Sequence, residues 1–283
     1  MTDNTPTSGT PRSWFVTGGS SGIGHELVLA ALTRGDRVTA IARRVDALAD
    51  LRERFPGTLL ALAADVRDQG SVRAAVDETV DRFGRVDVVA NNAGYGLFGA
   101  VEEATDAQAR AIFETNVFGV LNVLRATLPV LRGQGSGHVL QGSSIYGQLA
   151  LPGVGLLAAT KHAVEGMSDA LAAELEPLGI TVTLVEPALT ATPFLANLDF
   201  AEAAEDYDQT VRAVRKTLSD LPPEAFCDPA RAARVVLDAV GSGNPPRRLA
   251  LGGQAETDLR DALAARLRDL DQWAEATRSV DAR

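Results

Sequence analysis

Short apolar runs alternate along most of the chain with longer segments in which apolar residues recur at helical spacing. The runs have the length of strands and the periodic segments have the length of helices. The predicted strands cover residues 13–17, 37–42, 58–65, 86–91, 137–141, 180–186 and 247–251. The predicted helices cover residues 23–34, 46–55, 71–83, 106–131, 155–178, 229–240 and 256–277. This alternation predicts an α/β fold: a doubly wound parallel sheet of about seven strands with helices on both faces.

No linker and no internal repeat interrupts the alternation before Pro187, which predicts one domain over residues 13–283. Residues 1–12 are polar, rich in Thr and Pro, and lack the apolar core of a signal peptide, so we expect a disordered tail. Residues 188–226 mix acidic and apolar side chains without a regular period. We interpret them as an insertion, part helix and part lid, that covers the substrate.

The composition excludes several classes of function. A net charge of −10 and the lack of a basic run argue against nucleic-acid binding. Every apolar stretch is interrupted by Gly, Ser, Gln or a charge, so none is predicted to span a membrane. The single cysteine, Cys227, excludes an internal disulfide and fits a cytoplasmic location. The chain has only two lysines and much alanine, which points to a GC-rich bacterial source.

A glycine-rich loop joins the first predicted strand to the first predicted helix. Its glycines allow a tight turn and a close approach of the backbone to a pyrophosphate, and the start of the helix offers free N–H groups. A purely structural turn is the alternative, but the strand–loop–helix context favours nucleotide binding. The cofactor-binding candidates in this loop are Gly18, Ser20, Ser21, Gly22, Ile23 and Gly24.

Later motifs strengthen this interpretation. They are Asn91-Asn92-Ala93-Gly94 after the fourth strand, Asn116 in a helix, Ser143-Ser144 after the fifth strand, Lys161, and Pro187 with Thr192-Pro193-Phe194. With the Gly-x3-Gly-x-Gly loop, they resemble the classical short-chain dehydrogenase/reductase family over nearly the whole chain. The resemblance implies a Rossmann-type fold and a nicotinamide cofactor. It also places Asn92, Ala93 and Gly94 beside the adenosine half, and Pro187 and Thr192 beside the nicotinamide. Ala188 replaces the usual glycine after the proline, a departure from the pattern.

The family's catalytic tyrosine is missing. In the family, this tyrosine gives a proton to the substrate carbonyl, a serine positions that carbonyl, and a lysine lowers the pKa of the phenol and holds the ribose. Counting thirteen residues forward from Ser144 and four back from Lys161 leads to the same position, which is Leu157. The resemblance therefore implies that Ser144, Lys161 and Asn116, which would hold a relay water, are catalytic, with Leu157 in place of the acid.

Other side chains are weaker candidates for the missing acid. Tyr146 lies two residues after Ser144 and is a conceivable surrogate, although a packed loop aromatic is the favoured interpretation for it and for Tyr95. His162 follows Lys161 on a helix and should face about 100° away, so we expect a structural or solvent-facing role. No spacing of His138 or His25 with other side chains indicates a metal site.

The end of the second strand bears on the choice of cofactor. An acid there would accept the ribose 2′-hydroxyl of NAD, but this chain has Ala42 followed by Arg43 and Arg44. Because an arginine can pair with a 2′-phosphate, we predict that NADP(H) is preferred over NAD(H). The alternative is that both arginines merely begin a solvated helix. Asp65 and Val66 resemble the family pair that touches the adenine, and a helix-capping acid is the alternative for Asp65.

Three functions remain open at this stage. The chain is a ketoreductase-like oxidoreductase that lacks its general acid, a natural enzyme for a quinone-like acceptor that needs no tyrosine, or a cofactor-binding pseudoenzyme. We expect a hydrophobic small-molecule substrate, no nucleic-acid or membrane partner, and a homodimer or homotetramer formed through helices 106–131 and 155–178. The apolar candidates for the substrate pocket are Phe194, Leu195, Leu198, Phe200 and Phe226.

Overall fold

The computed structural model of the protein describes residues 10–281. Its strands are β1 (Ser13–Thr17), β2 (Arg37–Ala42), β3 (Leu59–Ala63), β4 (Val88–Asn91), β5 (Leu97–Phe98), β6 (Gly137–Gly142), β7 (Ile180–Pro187), β8 (Asp199–Phe200) and β9 (Arg248–Leu251). Its α-helices are α1 (Gly22–Thr33), α2 (Ala49–Arg54), α3 (Gln69–Phe83), α4 (Asp106–Phe113), α5 (Gly119–Gln134), α6 (Gly155–Leu175), α7 (Ala213–Ser219), α8 (Pro229–Gly241), α9 (Gly253–Gln272) and α10 (Ala274–Arg278).

Seven of the strands form one sheet in the order β3-β2-β1-β4-β6-β7-β9. Every pairing within it is parallel. The strand order reverses between β1 and β4, and in open α/β sheets such a reversal opens a crevice at the carboxyl ends of the strands. The predicted fold class, a Rossmann-type doubly wound sheet, is therefore confirmed.

Helices cover both faces of the sheet. Along β1, Trp14 and Val16 pack into a core with α1 and α8, whereas Phe15 packs into a second core with α3, α5 and α6. This division follows from the two-residue period of a strand, which turns neighbouring side chains to opposite faces. Because both faces of the sheet are covered, its inner strands are largely buried, and all five residues of β1 are buried.

The predicted helix 106–131 is divided in the structure. A turn of π-helix at Glu114–Phe118 separates α4 from α5, and α5 continues to Gln134. The widened turn places Asn116, at its centre, against the backbone of Tyr95. A π turn inserts one residue without breaking the apolar period, so the pattern predicted an uninterrupted helix.

Other boundaries differ by a few residues. β3, β4 and β9 are shorter than the predicted strands because the apolar pattern does not mark where ladder pairing ends. The predicted helix 46–55 begins with a 3-10 turn, and helix 155–178 ends with one. The C-terminal helix begins at Gly253 and is interrupted at Trp273, whose ψ of 11° is not helical.

The lid segment, residues 188–226, contains more structure than we expected. Its β8 pairs in parallel with β5, which the sequence analysis missed, and this two-residue ladder ties the segment to the loop after β4. The segment also contains α7 and several single helical turns. The interpretation as part helix and part lid stays a prediction, but the segment does border the crevice, since seven of its residues from Thr190 to Leu198 are among those that line the cavity described below.

Of the predicted tail, residues 1–9 lie outside the described residues. Arg12 donates through its backbone N to Asp36 (2.9 Å) and through its side chain to the carbonyl of Val240 (2.8 Å). Within residues 10–281, no helix is long and apolar enough to cross a bilayer. The same residues include no cluster of three or more His, Cys, Asp or Glu side chains suited to a metal ion.

Candidate functional site

The start of α1 opens into the crevice. Ser21, which precedes α1, is extended, and in the described chain its side chain caps none of the N–H groups of the first turn. Gly18 has a φ of +65°, and an added Cβ would lie 2.9 Å from Cα of Ala93. An added Cβ on Gly24 would lie 2.4 Å from the Gly18 carbonyl oxygen. The loop is a close-packed backbone cradle with free donors, which suits a pyrophosphate.

Thr17 ties this loop to the end of β4. Its hydroxyl oxygen accepts from the backbone N of Asn92 (3.0 Å) and of Ala93 (2.9 Å). The Asn92 side chain in turn donates to the carbonyls of Thr17 (3.3 Å) and Gly18 (3.4 Å). The Asn-Asn-Ala-Gly segment thus fixes the shape of the cradle. Thr17 was not among the predicted site residues, although its position directly before the glycine loop was a signal.

The end of the crevice beside β2 and β3 carries three arginines. Arg43 and Arg44 are exposed and, within the described residues, form no ion pair. Arg67 lies forked on Asp65, with Nε 3.0 Å from Oδ1 and Nη2 2.6 Å from Oδ2. Hydrogen bonding to Arg67 lowers the pKa of Asp65 below its usual value. The carboxylate is therefore neutralised and already supplied with donors.

Asp65 does not cap a helix. The residue that caps α3 is Asp68, whose carboxylate accepts from two backbone N–H groups of the first turn at 2.9 and 3.2 Å. The capping interpretation of Asp65 is therefore wrong, because α3 begins farther along the chain than that role requires. Val66 is buried, and its carbonyl accepts from the Asn122 side chain at 2.9 Å, which holds the end of this segment in place.

Ser144 and Lys161 lie at the other end of the crevice. The Ser144 hydroxyl donates to the carbonyl of Pro187 (3.4 Å) and accepts from the backbone N of Tyr146 (3.3 Å). Lys161 Nζ donates to the carbonyl of Gly142 (2.7 Å). Burial lowers the pKa of Lys161 to about 8, and the nearby carboxylate of Glu165 opposes that effect. Lys161 is therefore a cation at neutral pH that holds its proton less tightly than an exposed lysine.

Asn116 lies behind this wall. Its Nδ2 donates to the Tyr95 carbonyl (2.9 Å) and to Thr160 Oγ1 (3.2 Å), and its Oδ1 accepts from the Tyr95 backbone N (3.1 Å). Thr160 Oγ1 donates to the carbonyl of Leu157 (2.7 Å). The amide thus fixes the loop after β4 and the first turns of α6 relative to each other. Thr160 is a second contributor that the sequence analysis missed.

Leu157 occupies an apolar part of the wall. It is 4% exposed and belongs to a cluster of buried residues with Phe98, Ile145, Tyr146 and Val154. Its side chain has no titratable proton, so this position cannot act as an acid. Close packing, rather than a polar contact, holds it in place.

The weaker candidates for the missing acid lie in different surroundings. Tyr146 is buried in the same wall, where burial raises the pKa of its phenol. Tyr95 also lines the crevice, and burial likewise raises its pKa. His162 is exposed, with Nδ1 2.9 Å from the Ala158 carbonyl oxygen, as expected of a structural or solvent-facing residue. His138 is buried away from the crevice beside Thr183, and burial lowers its pKa to about 4.

One cavity of about 620 Å³ joins the two ends of the crevice. All but two of the predicted site residues line it; the exceptions, Gly24 and Asn116, pack directly behind its wall. The predicted residues on its surface are Gly18, Ser20, Ser21, Gly22, Ile23, Arg43, Arg44, Asp65, Val66, Asn92, Ala93, Gly94, Ser144, Leu157, Lys161, Pro187 and Thr192. The glycine loop and the Ser144–Lys161 region therefore face one continuous space.

The lid contributes apolar side chains to this cavity. Phe194, Leu195 and Leu198 line it, as predicted. Phe200 and Phe226 do not, so those two predictions are wrong. Phe200 instead packs on the ring of Phe98, with centroids 6.2 Å apart, because the β5–β8 ladder places the two side by side.

A buried polar cluster adjoins the site and was also missed. Glu165 lies one helical turn after Lys161, and Glu186 directly precedes Pro187. Both carboxylates contact the side chain of Arg248, Glu165 at 3.0 Å and Glu186 at 3.5 Å. The helical spacing from Lys161 was the available signal for Glu165.

The chain is similar in sequence to known proteins. A family model described as short chain dehydrogenase matches residues 13–203. The chain is 37% identical over 246 residues to the oxidoreductase BOA17 of Botryotinia fuckeliana, covering 86% of this chain and 90% of that protein. It is 35% identical over 246 residues to a 3-ketodihydrosphingosine reductase of Bacteroides thetaiotaomicron, covering 86% and 88%.

Solved structures agree. A short-chain dehydrogenase from Streptomyces avermitilis superposes with a TM-score of 0.90 at 38% identity, covering 96% of this chain and all of that one. A short-chain dehydrogenase/reductase from Burkholderia phymatum in complex with NAD shares the fold, with a TM-score of 0.77 at 22% identity over 94% and 95% of the two chains. An alcohol dehydrogenase from Thermococcus sibiricus complexed with 5-hydroxy-NADP shares it with a TM-score of 0.72 at 24% identity over 86% and 96%.

Proposed function

The chain belongs to the short-chain dehydrogenase family, and on that premise we propose that it binds NADP(H) in preference to NAD(H) and acts on a hydrophobic carbonyl compound or alcohol. By family it is an oxidoreductase that uses a nicotinamide cofactor. The observation that carries the proposal is the single cavity that connects the glycine cradle with Ser144 and Lys161.

The residues present fit such a cofactor. The uncapped first turn of α1 leaves N–H groups for a pyrophosphate, and the cradle has no space for a Cβ at Gly18 or Gly24. Arg43 and Arg44 stand free for a 2′-phosphate because Asp65 already pairs with Arg67. A nicotinamide cofactor, when bound, supplies or accepts the hydride.

Two polar groups act on the substrate end in this proposal. The Ser144 hydroxyl, whose oxygen accepts from the backbone N of Tyr146, turns its proton from the Pro187 carbonyl to the carbonyl of the substrate and so positions the substrate. Lys161 presents a cation that can donate hydrogen bonds to the ribose hydroxyls and stabilise negative charge that develops on the reacting oxygen. At the position that the family resemblance assigns to the general acid, Leu157 offers no proton. We therefore expect turnover of simple ketones to be slow while binding persists.

A conjugated acceptor such as a quinone is the second candidate. Its reduced anion is delocalised, so it needs no proton from the wall. The packing of Leu157 favours this candidate, because the side chain is buried among apolar neighbours like an ordinary core residue. The apolar lid side chains Phe194, Leu195 and Leu198 suit a hydrophobic substrate in either case.

Restoring the acid tests the proposal. We expect Leu157→Tyr to raise kcat/KM for NADPH-dependent reduction of a panel of hydrophobic ketones by about 10²- to 10⁴-fold, the typical contribution of a positioned general acid. The measurement is NADPH oxidation followed by absorbance, with the panel extended to quinones. Leu156→Tyr, one position away on another side of α6, is the matched control and should gain nothing on ketones.

The other outcomes discriminate. Quinone reduction by the unmodified chain that Leu157→Tyr does not increase establishes the second candidate. Binding of NADPH by both forms without turnover of either acceptor class establishes a cofactor-binding protein with no redox activity. If neither form binds NADPH in a fluorescence titration, the cofactor assignment and the proposed function are both wrong.

A further inference from the structure

Two buried glutamates lie against the segments that form the active site. Glu165 is on α6, one turn after Lys161, and its side chain is 6% exposed. Glu186 is on β7, directly before Pro187, and its side chain is 3% exposed. The Pro187 carbonyl accepts from Ser144, so the two glutamates adjoin both polar groups of the substrate end. Nothing in the function proposed above uses either of them.

The two carboxylates lie side by side because they share the same donors. Gln148 Nε2 donates to Glu165 at 3.0 Å and to Glu186 at 3.4 Å. Arg248 Nε lies 3.0 Å from Glu165 and 3.5 Å from Glu186. The same guanidinium also pairs with Asp169 at 2.8 Å, so three carboxylates share one cation. Two adjacent buried carboxylates with so little compensating charge retain a proton between them.

One carboxylate oxygen of the pair lacks a hydrogen-bond donor among the described residues, which favours a neutral, protonated carboxyl group. Within the described chain, Oε1 of Glu165 is buried and has no hydrogen-bond partner. Burial, and then the neighbouring Glu165 carboxylate, raises the pKa of Glu186 to about 7. The charged and titratable groups that face the pair are Lys161 and Asp169 on α6, Arg248 on β9, and Arg266 on α9, which donates to Gln148.

We propose that Glu165 and Glu186 form a carboxyl pair that holds one proton at neutral pH. When the pair loses this proton, its negative charge helps to keep the ammonium group of Lys161 protonated in the active site. As pH rises, the pair releases its proton to solvent and gains a negative charge close to Lys161. That charge favours the ammonium form of Lys161 at the pH where burial would otherwise begin to discharge it. The pair thus keeps Lys161 a cation over a wider pH range. The inference rests on the proposed function only for the role of Lys161.

The chain itself makes the test clean, because Lys161 and Lys216 are its only lysines. In full-length protein labelled with ¹³C-lysine, two Cε signals are expected, and Lys216→Arg assigns them. We expect the Lys161 signal to titrate in two steps, a small one near pH 7 from the carboxyl pair and a large one at higher pH from its own ammonium. A single step in the unmodified protein overturns the proposal.

Glu186→Gln cannot ionise at that position. We expect it to remove the lower step and to move the main step of Lys161 by about one pH unit to lower pH. Glu165→Gln should also remove the lower step and serves if the first variant folds poorly. Asp169→Asn, which removes an exposed carboxylate from the same guanidinium, is the control and should keep both steps. Persistence of the lower step in Glu186→Gln overturns the proposal.

NADPH binding is measured on the same samples by fluorescence. If Lys161 titrates in two steps but the protein does not bind NADPH, the carboxyl pair is supported and the proposed function is wrong. The two failures are therefore separable.

Discussion

At the scale of single residues, the proposed cofactor preference depends on which charges are free at the end of the crevice beside β2 and β3. Asp65 would repel a 2′-phosphate if it were an isolated carboxylate, but Arg67 neutralises it. Arg43 and Arg44 have no such partner among the residues described. The local charge is thus positive at this rim although the whole chain carries −10. This contrast shows why net charge says little about an individual site.

Arg43→Ala tests the role of this rim. A charge-assisted hydrogen bond contributes about 1.5 to 3 kcal/mol, so the Kd for NADPH should rise by about ten- to hundredfold. The Kd for NADH should change by less than about twofold, since NADH has no 2′-phosphate. Both constants are measured by fluorescence titration. Arg52→Ala, an exposed arginine on α2 outside the cavity, is the control. Equal weakening of both cofactors would rule out the 2′-phosphate role.

At the scale of elements, one buried carboxylate ties part of the lid segment to the rest of the protein. Glu103, in the loop between β5 and α4, accepts from the backbone N of Ala100 (2.6 Å) and of Ala204 (2.7 Å) and pairs with Arg212. Hydrogen bonding to Arg212 is the largest influence on Glu103 and lowers its pKa to about 2. The carboxylate therefore ties both ends of the segment 204–212 to the body of the protein.

Glu103→Gln should loosen this segment. The amide keeps the shape but loses the charge that holds Arg212, so we expect faster amide hydrogen exchange across residues 199–212 at neutral pH. Because the folded pKa lies below the ordinary value of about 4.3, the stabilising contribution is present at neutral pH and is lost as pH falls from about 4 toward 2. Glu103→Gln should lack that pH dependence, whereas chains that keep Glu103 should show it. Glu78→Gln, exposed on α3, is the control, and unchanged exchange in Glu103→Gln would contradict the assignment.

The elements also show how far sequence reasoning extends. The apolar runs predicted all seven strands of the sheet. The inner strands are largely buried on both faces, and the edge strands β3 and β9, although partly exposed, still carry short apolar runs. The apolar pattern did not predict the β5–β8 ladder, because two-residue strands carry no period and their pairing depends on distant segments. The π turn at Glu114–Phe118 was missed for a related reason, since one extra residue leaves the apolar stripe nearly unchanged.

The site divides in the same way. Motifs with fixed spacing predicted the residues that line the cavity, since local strand–loop–helix geometry sets their positions. The Glu165–Glu186 pair was not predicted, because its members are brought together only when α6 packs beside β7. Likewise, the pairing of Asp65 with Arg67 depends on side-chain rotamers, which a sequence pattern does not specify.

At the scale of the whole molecule, the outer surface carries an apolar groove. It has a volume of about 560 Å³ and lies between α5 and α6. Leucines line it, with Arg125 and Arg132 on the α5 side and Glu174 on the α6 side. A two-fold axis through such a groove would place the arginines of one copy near the glutamate of the other. We therefore propose this groove as the contact of a homodimer, as expected from the two long helical stretches.

Leu178→Glu tests this contact. Leu178 follows α6, lines the groove and is 43% exposed, so its substitution should leave the fold of the protomer intact. A charge buried within the interface should weaken dimerisation by about tenfold or more. Sedimentation velocity at micromolar concentration should then show a monomer of 29.7 kDa, whereas we expect the unmodified chain to sediment as a larger species. Leu267 lies on α9 and is 60% exposed. Leu267→Glu is the matched control and should leave the assembly unchanged. An unmodified chain that sediments as a monomer would contradict the dimer, and dissociation caused only by Leu267→Glu would move the contact to α9.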